Sequence, residues 1–206
     1  MTQVNSPGSS SGSSRSISEL QASSNFLASF SPGQASSAVG FEGDISSQVL
    51  EILITNGEDV ASVLSNYFRT IDTWLPIVSQ ERIKKRLETI VSNPSVEVAT
   101  LLLCMNLIIR TPGDGRNMQD SVYFDAKSLV SMQISSGKPA IEIIQGGLLL
   151  SIYEQCHGMA QAAQITMAGC SRLAFKMIGT YRKAGDKDLQ NTELGRLWWG
   201  IIIVDR

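Results

Sequence analysis

The sequence has few of the side chains from which metal sites are built. It contains a single histidine, His157, and three cysteines, Cys104, Cys156 and Cys170, in 206 residues. A structural zinc site needs four closely spaced cysteine or histidine ligands, and none of these cysteines stands in a C-x-x-C pair. We therefore expect no metal ion and no other cofactor, and we interpret the cysteines as small buried thiols of a reducing compartment, the cytosol or the nucleus.

Residue patterns for catalysis are also missing. Cys156 and His157 are adjacent, and neighbours on a helix point about 100° apart, so they cannot form a nucleophile and base pair. The glycines at 113–115 and 146–147 lack the strand, the helix and the lysine or third glycine of a phosphate-binding loop. The chain is therefore predicted not to be an enzyme.

Long apolar runs and an excess of basic charge are absent as well. The stretches LLLCMNLII (101–109) and GGLLLSIY (146–153) are about half as long as the roughly 18 residues of a membrane span. Lysine and arginine number 17 against 19 acidic residues, for a net charge of −2. Because DNA binding draws on counterion release by a basic surface, we expect neither membrane insertion nor direct DNA binding.

The N-terminal segment differs from the rest of the chain in composition. Residues 1–43 include SPGSSSGSSRSIS (6–18) and SPGQASSAVG (31–40), with few large apolar side chains. Such a composition buries too little surface to offset chain entropy. We predict a disordered serine- and glycine-rich tail over 1–43 and one helical domain over 44–206.

Within 44–206 the apolar residues recur at helical spacing, and proline or glycine interrupts the pattern. Ser79 and Thr192 are placed to cap helix starts, each with a glutamate in the following turn. Strand-like alternation and internal repeats are missing. The pattern predicts an all-α, irregular multi-helix bundle of about seven or eight helices. After an early helix near 45–54, the clearest segments are 96–109, 118–134, 140–155, 159–178 and a terminal helix over 196–206.

Three stretches carry a family resemblance. They are NYFRTIDTWLPIV (66–78), IIQGGLLLSIYEQCHGMAQAAQITMAGCSRLAF (143–175) and RLWWGIIIVDR (196–206). Together they resemble the fungal-specific transcription factor domain, the middle homology region of fungal zinc-cluster transcription factors. The last stretch is similar to its signature helix, and the matching positions are Arg196, Trp198, Trp199, Asp205 and Arg206.

The resemblance implies a nuclear, non-catalytic domain that modulates transcription through intramolecular contacts, protein partners or a small-molecule effector. In that family a six-cysteine binuclear zinc cluster reads DNA, and this sequence lacks it, so zinc is expected only in that missing part. The family's domain also runs past the Asp-Arg pair. We therefore expect a partial, C-terminally truncated domain.

The signature helix is apolar on more than one side. At helical spacing Arg196, Trp199 and Ile203 share one face, and another face carries Trp198, Ile202 and Asp205. A helix that contacts one layer buries little more than about 100° of its circumference. One apolar stripe should therefore face water and favour protein partners or a homo-oligomer. A structural role for the signature residues is preferred over direct ligand contact. Two alternatives stay open: a small helical enzyme or apolar-ligand-binding protein, and a truncated partner that interferes with full-length relatives.

Overall fold

The computed structural model describes residues 59–89, 95–110, 118–183 and 192–205. Within these ranges the chain forms seven helices and no strand, which confirms the all-α prediction. The helices are α1 (Val60–Thr70), α2 (Gln80–Glu88), α3 (Val96–Ile109), α4 (Ser121–Ser136), α5 (Ile141–Cys156), α6 (Ala160–Lys183) and α7 (Glu193–Val204).

Several predictions fall outside the described residues. They are the disordered tail over 1–43, the early helix near 45–54, the loop over 111–117 and the last signature residue, Arg206. These remain predictions.

Short polar side chains fix where the helices begin. The Ser79 hydroxyl accepts a hydrogen bond from the Arg82 amide at 3.4 Å, and the Thr192 hydroxyl accepts one from the Gly195 amide at 3.2 Å. Both predicted caps are therefore confirmed. In α4 the Asp120 carboxylate accepts from an amide in the first turn, so this helix begins at Ser121 and not at Met118 as predicted.

The end of α6 differs from the prediction. The sequence indicated a loop from residue 180 onward, whereas α6 continues to Lys183. Gly179 does not end the helix, because it has no positive φ and lies in the middle of a regular turn. A glycine within a helix lowers its stability without interrupting it.

Helix α5 forms the centre of the bundle and packs against α3, α4, α6 and α7. Two adjacent glycines of α5 permit the close approach of α3 and α6. A Cβ atom at Gly146 would lie 3.4 Å from the Cys104 sulfur of α3, and one at Gly147 would come well within 3.0 Å of the Cys170 sulfur of α6. Cys104 and Cys170 are buried as expected. The expectation is wrong for Cys156, which is exposed because it is the last residue of α5.

Candidate functional site

Helix α7 is held to the bundle along one face. Leu194, Leu197 and Ile201 on this face are buried. Gly200 lies between them, where a Cβ atom would come within 2.9 Å of Ile77 and 3.1 Å of Leu148. The backbone of α7 is thus closely packed against both α5 and the segment before α2.

The opposite side of α7 faces solvent. Arg196 is exposed, and Trp199 and Ile203 have exposed fractions of 56% and 66%. These three residues follow one another at spacings of three and four and are called the outer face of α7 below. The prediction that one apolar stripe of this helix faces water is confirmed.

A third strip of α7 borders helix α6. Trp198 and Ile202 are half-buried. The Trp198 ring meets the Phe175 ring of α6 edge to face, with 4.8 Å between the ring centroids and an interplanar angle of 69°. Phe175 is itself 62% exposed. The exposed apolar surface therefore extends from α7 onto α6.

The four signature residues that the structure describes are not brought together into one site. Trp198 points to α6, Trp199 points to solvent, and Asp205 is an exposed residue at the C-terminal end of α7. Arg196 interacts electrostatically with Asp72, which follows α1. The structural role assigned to these residues stays a prediction.

Asp72 belongs to a small polar cluster beneath Arg196. One Asp72 oxygen and the Tyr67 hydroxyl are buried without a hydrogen-bond partner among the described residues. Burial raises the pKa of Asp72, and the positive charge of Arg196 opposes that rise. Burial, followed by the charges of Asp72 and Glu193, raises the pKa of Tyr67 above its usual range, so its hydroxyl stays protonated. Arg196 thus stabilises the charge of a partly buried carboxylate.

A larger polar network fixes the first turn of α7, and it is called the Glu193 network below. One Glu193 oxygen accepts hydrogen bonds of 2.7 Å each from the Ser79 amide and from the Gln145 side-chain amide. The other oxygen lies 2.7 Å from Nε of Arg82. Gln145 also donates to the Ile77 carbonyl at 2.6 Å. Helices α2, α5 and α7 are therefore joined through one carboxylate.

Arg82 connects this network to the start of α5. Its guanidinium lies 3.2 Å from the Glu142 carboxylate and donates to the side-chain amide oxygen of Gln145 at 3.3 Å. Arg86, one turn further along α2, approaches the same Glu142 oxygen at 3.7 Å. Two arginines thus face two largely buried glutamates, so the charges of the network balance.

The Glu193 network was not predicted from the sequence. A signal was present in Gln145, a polar residue inside the apolar helix α5, because buried amides need hydrogen-bond partners. The partners could not be named, since Ser79 and Glu193 are 114 positions apart in the sequence.

A second buried cluster joins α4, α5 and α6. Glu154 is fully buried and accepts hydrogen bonds from Lys127 at 2.6 Å, Tyr123 at 3.0 Å and Thr166 at 2.7 Å. Burial and then the Glu154 charge raise the pKa of Tyr123 above its usual range, so the phenol remains a donor. The cluster therefore satisfies the buried Glu154 carboxylate with donors from α4 and α6.

The described residues offer little for catalysis or metal binding. Burial raises the pKa of the Cys170 thiol to about 12 and that of Cys104 still higher, so neither forms a thiolate near neutral pH. The His157 ring nitrogen Nδ1 is occupied 2.6 Å from the Tyr153 carbonyl oxygen. No group of three metal-ligating side chains comes together in the described ranges. No helix there has the length and hydropathy to cross a bilayer.

Asp125 on α4 allows a test of buried charge. Burial, and secondarily the charge of Asp120, raises its pKa to about 6. The folded chain then holds a proton that the unfolded chain releases, so this residue makes stability fall as pH rises from about 4 to 6. We expect Asp125→Asn to raise the free energy of unfolding at pH 7 by on the order of 1–3 kcal/mol.

Urea unfolding at pH 4 and pH 7 checks this expectation. The gain from Asp125→Asn should largely disappear at pH 4, where the folded chain carries Asp125 in its neutral form. Asp120→Ala removes the α4 cap and serves as a control that is destabilising at pH 7. A loss of stability in Asp125→Asn at pH 7 would contradict the assignment.

One comparison with known proteins decides the family. The chain is 31% identical over 128 residues to Transcription factor BOA15 of Botryotinia fuckeliana (strain B05.10). The matched region is 62% of this chain and 69% of that protein. The chain belongs to the family of this transcription factor. The fungal relationship indicated by the three resembling stretches is thereby supported at the level of a transcription factor.

The other comparisons add no finer assignment for this member of the BOA15 family. No family model matches the chain, and no solved structure matches it.

Proposed function

We propose that the chain is the regulatory, non-catalytic helical region of a fungal transcription factor, equivalent to the middle homology region of zinc-cluster factors. It acts in the nucleus and changes transcription through contacts with proteins, including a second copy of this chain. In this proposal a separate zinc cluster reads DNA. The similarity to BOA15, a protein named as a transcription factor, supports the assignment.

The observation that carries the proposal is the outer face of α7. Trp199 and Ile203 are mostly exposed, although the opposite face of the same helix is locked into the bundle. An aromatic side chain offers about 150–250 Å² at roughly 25 cal/mol per Å², so covering such a face contributes several kcal/mol. A partner surface that buries these side chains would gain this free energy.

A tethered reporter tests the function. The full chain, fused to an unrelated DNA-binding domain, is expected to raise or lower reporter transcription severalfold relative to that domain alone. Trp199→Ser/Ile203→Ser should abolish most of the change, because it removes the apolar contact and leaves the buried face of α7 intact.

The matched control is Trp74→Ser/Ile165→Ser, whose side chains are 56% and 71% exposed and lie outside α7. This variant should keep the reporter effect at equal protein level. An unaltered reporter with the parent chain would refute the regulatory role. Equal losses in both double variants would refute the assignment of that role to α7.

A further inference from the structure

We infer that the chain carries a groove that binds a small apolar molecule with one neutral hydrogen-bond acceptor. The groove lies between the start of α5, the last part of α6 and the start of α7, and it has a volume of about 490 Å³. This volume falls within the range of roughly 300–1,000 Å³ typical of small-molecule sites. The inference goes beyond the proposed function and does not depend on it.

Most of the groove is apolar. Pro139, Ile141, Met177 and Leu194 contribute hydrocarbon surface from three helices and the turn before α5. Met177 is flexible and can adjust to ligands of different shape. Tyr181 forms an exposed part of the lining on α6. This surface favours an apolar ligand body.

Arg82 supplies hydrogen-bond donors to the same groove. A guanidinium has five N–H groups. Three are directed at Glu193, Glu142 and Gln145. The other two have no hydrogen-bond partner among the residues that the structure describes, and the Arg82 side chain is 35% exposed. An acceptor atom of a ligand can therefore reach this guanidinium.

The surrounding charges select the kind of acceptor. Arg82 and Arg86 are balanced by Glu142 and Glu193. An anionic ligand would add an unbalanced charge to a partly desolvated site, which costs free energy. Both Glu193 oxygens are already engaged, so a cationic ligand finds no free carboxylate there. A neutral carbonyl, as in a ketone, ester or amide, fits best.

Three probes of equal chain length test the inference: 2-decanone, decanoate and decylammonium. Each is titrated into the purified full chain and followed by amide chemical shifts. We expect saturable shifts with 2-decanone at Ile141, Thr180 and Leu194. Decanoate and decylammonium should bind about tenfold more weakly or worse, because burial of an unpaired charge costs at least about 1.4 kcal/mol.

Two matched tryptophan variants locate the site. Thr180 lines the groove and Thr70 lies on α1, yet both are exposed and each hydroxyl donates to the carbonyl four residues earlier. Thr180→Trp should weaken 2-decanone binding about tenfold or more by filling the groove, whereas Thr70→Trp should leave it unchanged. Tyr181→Ala, which removes part of the lining, should weaken it severalfold.

The outcomes separate clearly. Loss of ketone binding in Thr180→Trp and Tyr181→Ala but not in Thr70→Trp supports the groove. Tighter binding of decanoate or decylammonium overturns the assignment of a neutral acceptor. Absence of saturable binding, or equal effects of Thr180→Trp and Thr70→Trp, overturns the groove itself. None of these readings involves transcription.

Discussion

Replacing Lys127 by methionine is expected to lower the free energy of unfolding by about 3–5 kcal/mol at pH 7. Lys127 is the only cation within 4.0 Å of Glu154 among the described residues, at 2.6 Å, and Glu154 is fully buried. After the substitution the carboxylate keeps its bonds from Tyr123 and Thr166 but loses its counter-charge. An uncompensated charge in the interior is one of the most destabilising single changes in a protein.

Chemical denaturation of four chains measures this effect. Lys127→Met/Glu154→Gln removes both charges and keeps one oxygen that can accept from Tyr123, while Thr166 can donate to the Ala162 carbonyl, so it should recover most of the loss. Lys176→Met is the surface control, since this exposed lysine donates to a backbone carbonyl, that of Gly137. Its loss should stay below about 1 kcal/mol. If Lys127→Met behaves like Lys176→Met, the account of the buried ion pair is wrong.

The adjacent glycines of α5 should respond in different ways to the same substitution. Gly147→Ala places a methyl group against the buried Cys170 sulfur, well within 3.0 Å. Overpacking of this kind costs about 1–3 kcal/mol and outweighs the roughly 0.5–1 kcal/mol that alanine gains over glycine in a helix. Gly146→Ala meets its nearest atom at 3.4 Å, an ordinary contact, so its change should stay within about 1 kcal/mol.

A second substitution identifies the cause. Cys170→Ala removes the sulfur, so Gly147→Ala/Cys170→Ala should be more stable than the sum of the two single effects predicts. Thermal and urea unfolding of the four chains give this coupling. Strict additivity would mean that α5 and α6 do not approach through Gly147.

Local signals in the sequence predicted much of the helical framework. The bounds of α3 follow from Ser95, a capping residue, and from an apolar run that ends at Ile109. The position of Thr192 predicted the start of α7, and the apolar residues on two of its faces predicted that one stripe faces water, although not which one. Each of these signals lies within a few residues of the feature that it determines.

Features that depend on distant residues could not be predicted. The end of α6 at Lys183 was missed because the residues from 180 onward are polar and indicated a loop. The helix nevertheless continues through the first of them. Glu193 appeared to be only a first-turn carboxylate, which suits the helix dipole. Its bonds to Ser79, Arg82 and Gln145 depend on how α2, α5 and α7 pack. The groove beside Arg82 depends on the same packing.

The central claim is that the outer face of α7 is the surface through which this chain contacts proteins. Sedimentation velocity of the full chain at micromolar concentration tests it most directly. The account predicts reversible self-association that Trp199→Ser/Ile203→Ser disperses and Trp74→Ser/Ile165→Ser preserves. A parent chain that sediments as a monomer, or an assembly that both double variants disperse equally, would contradict it.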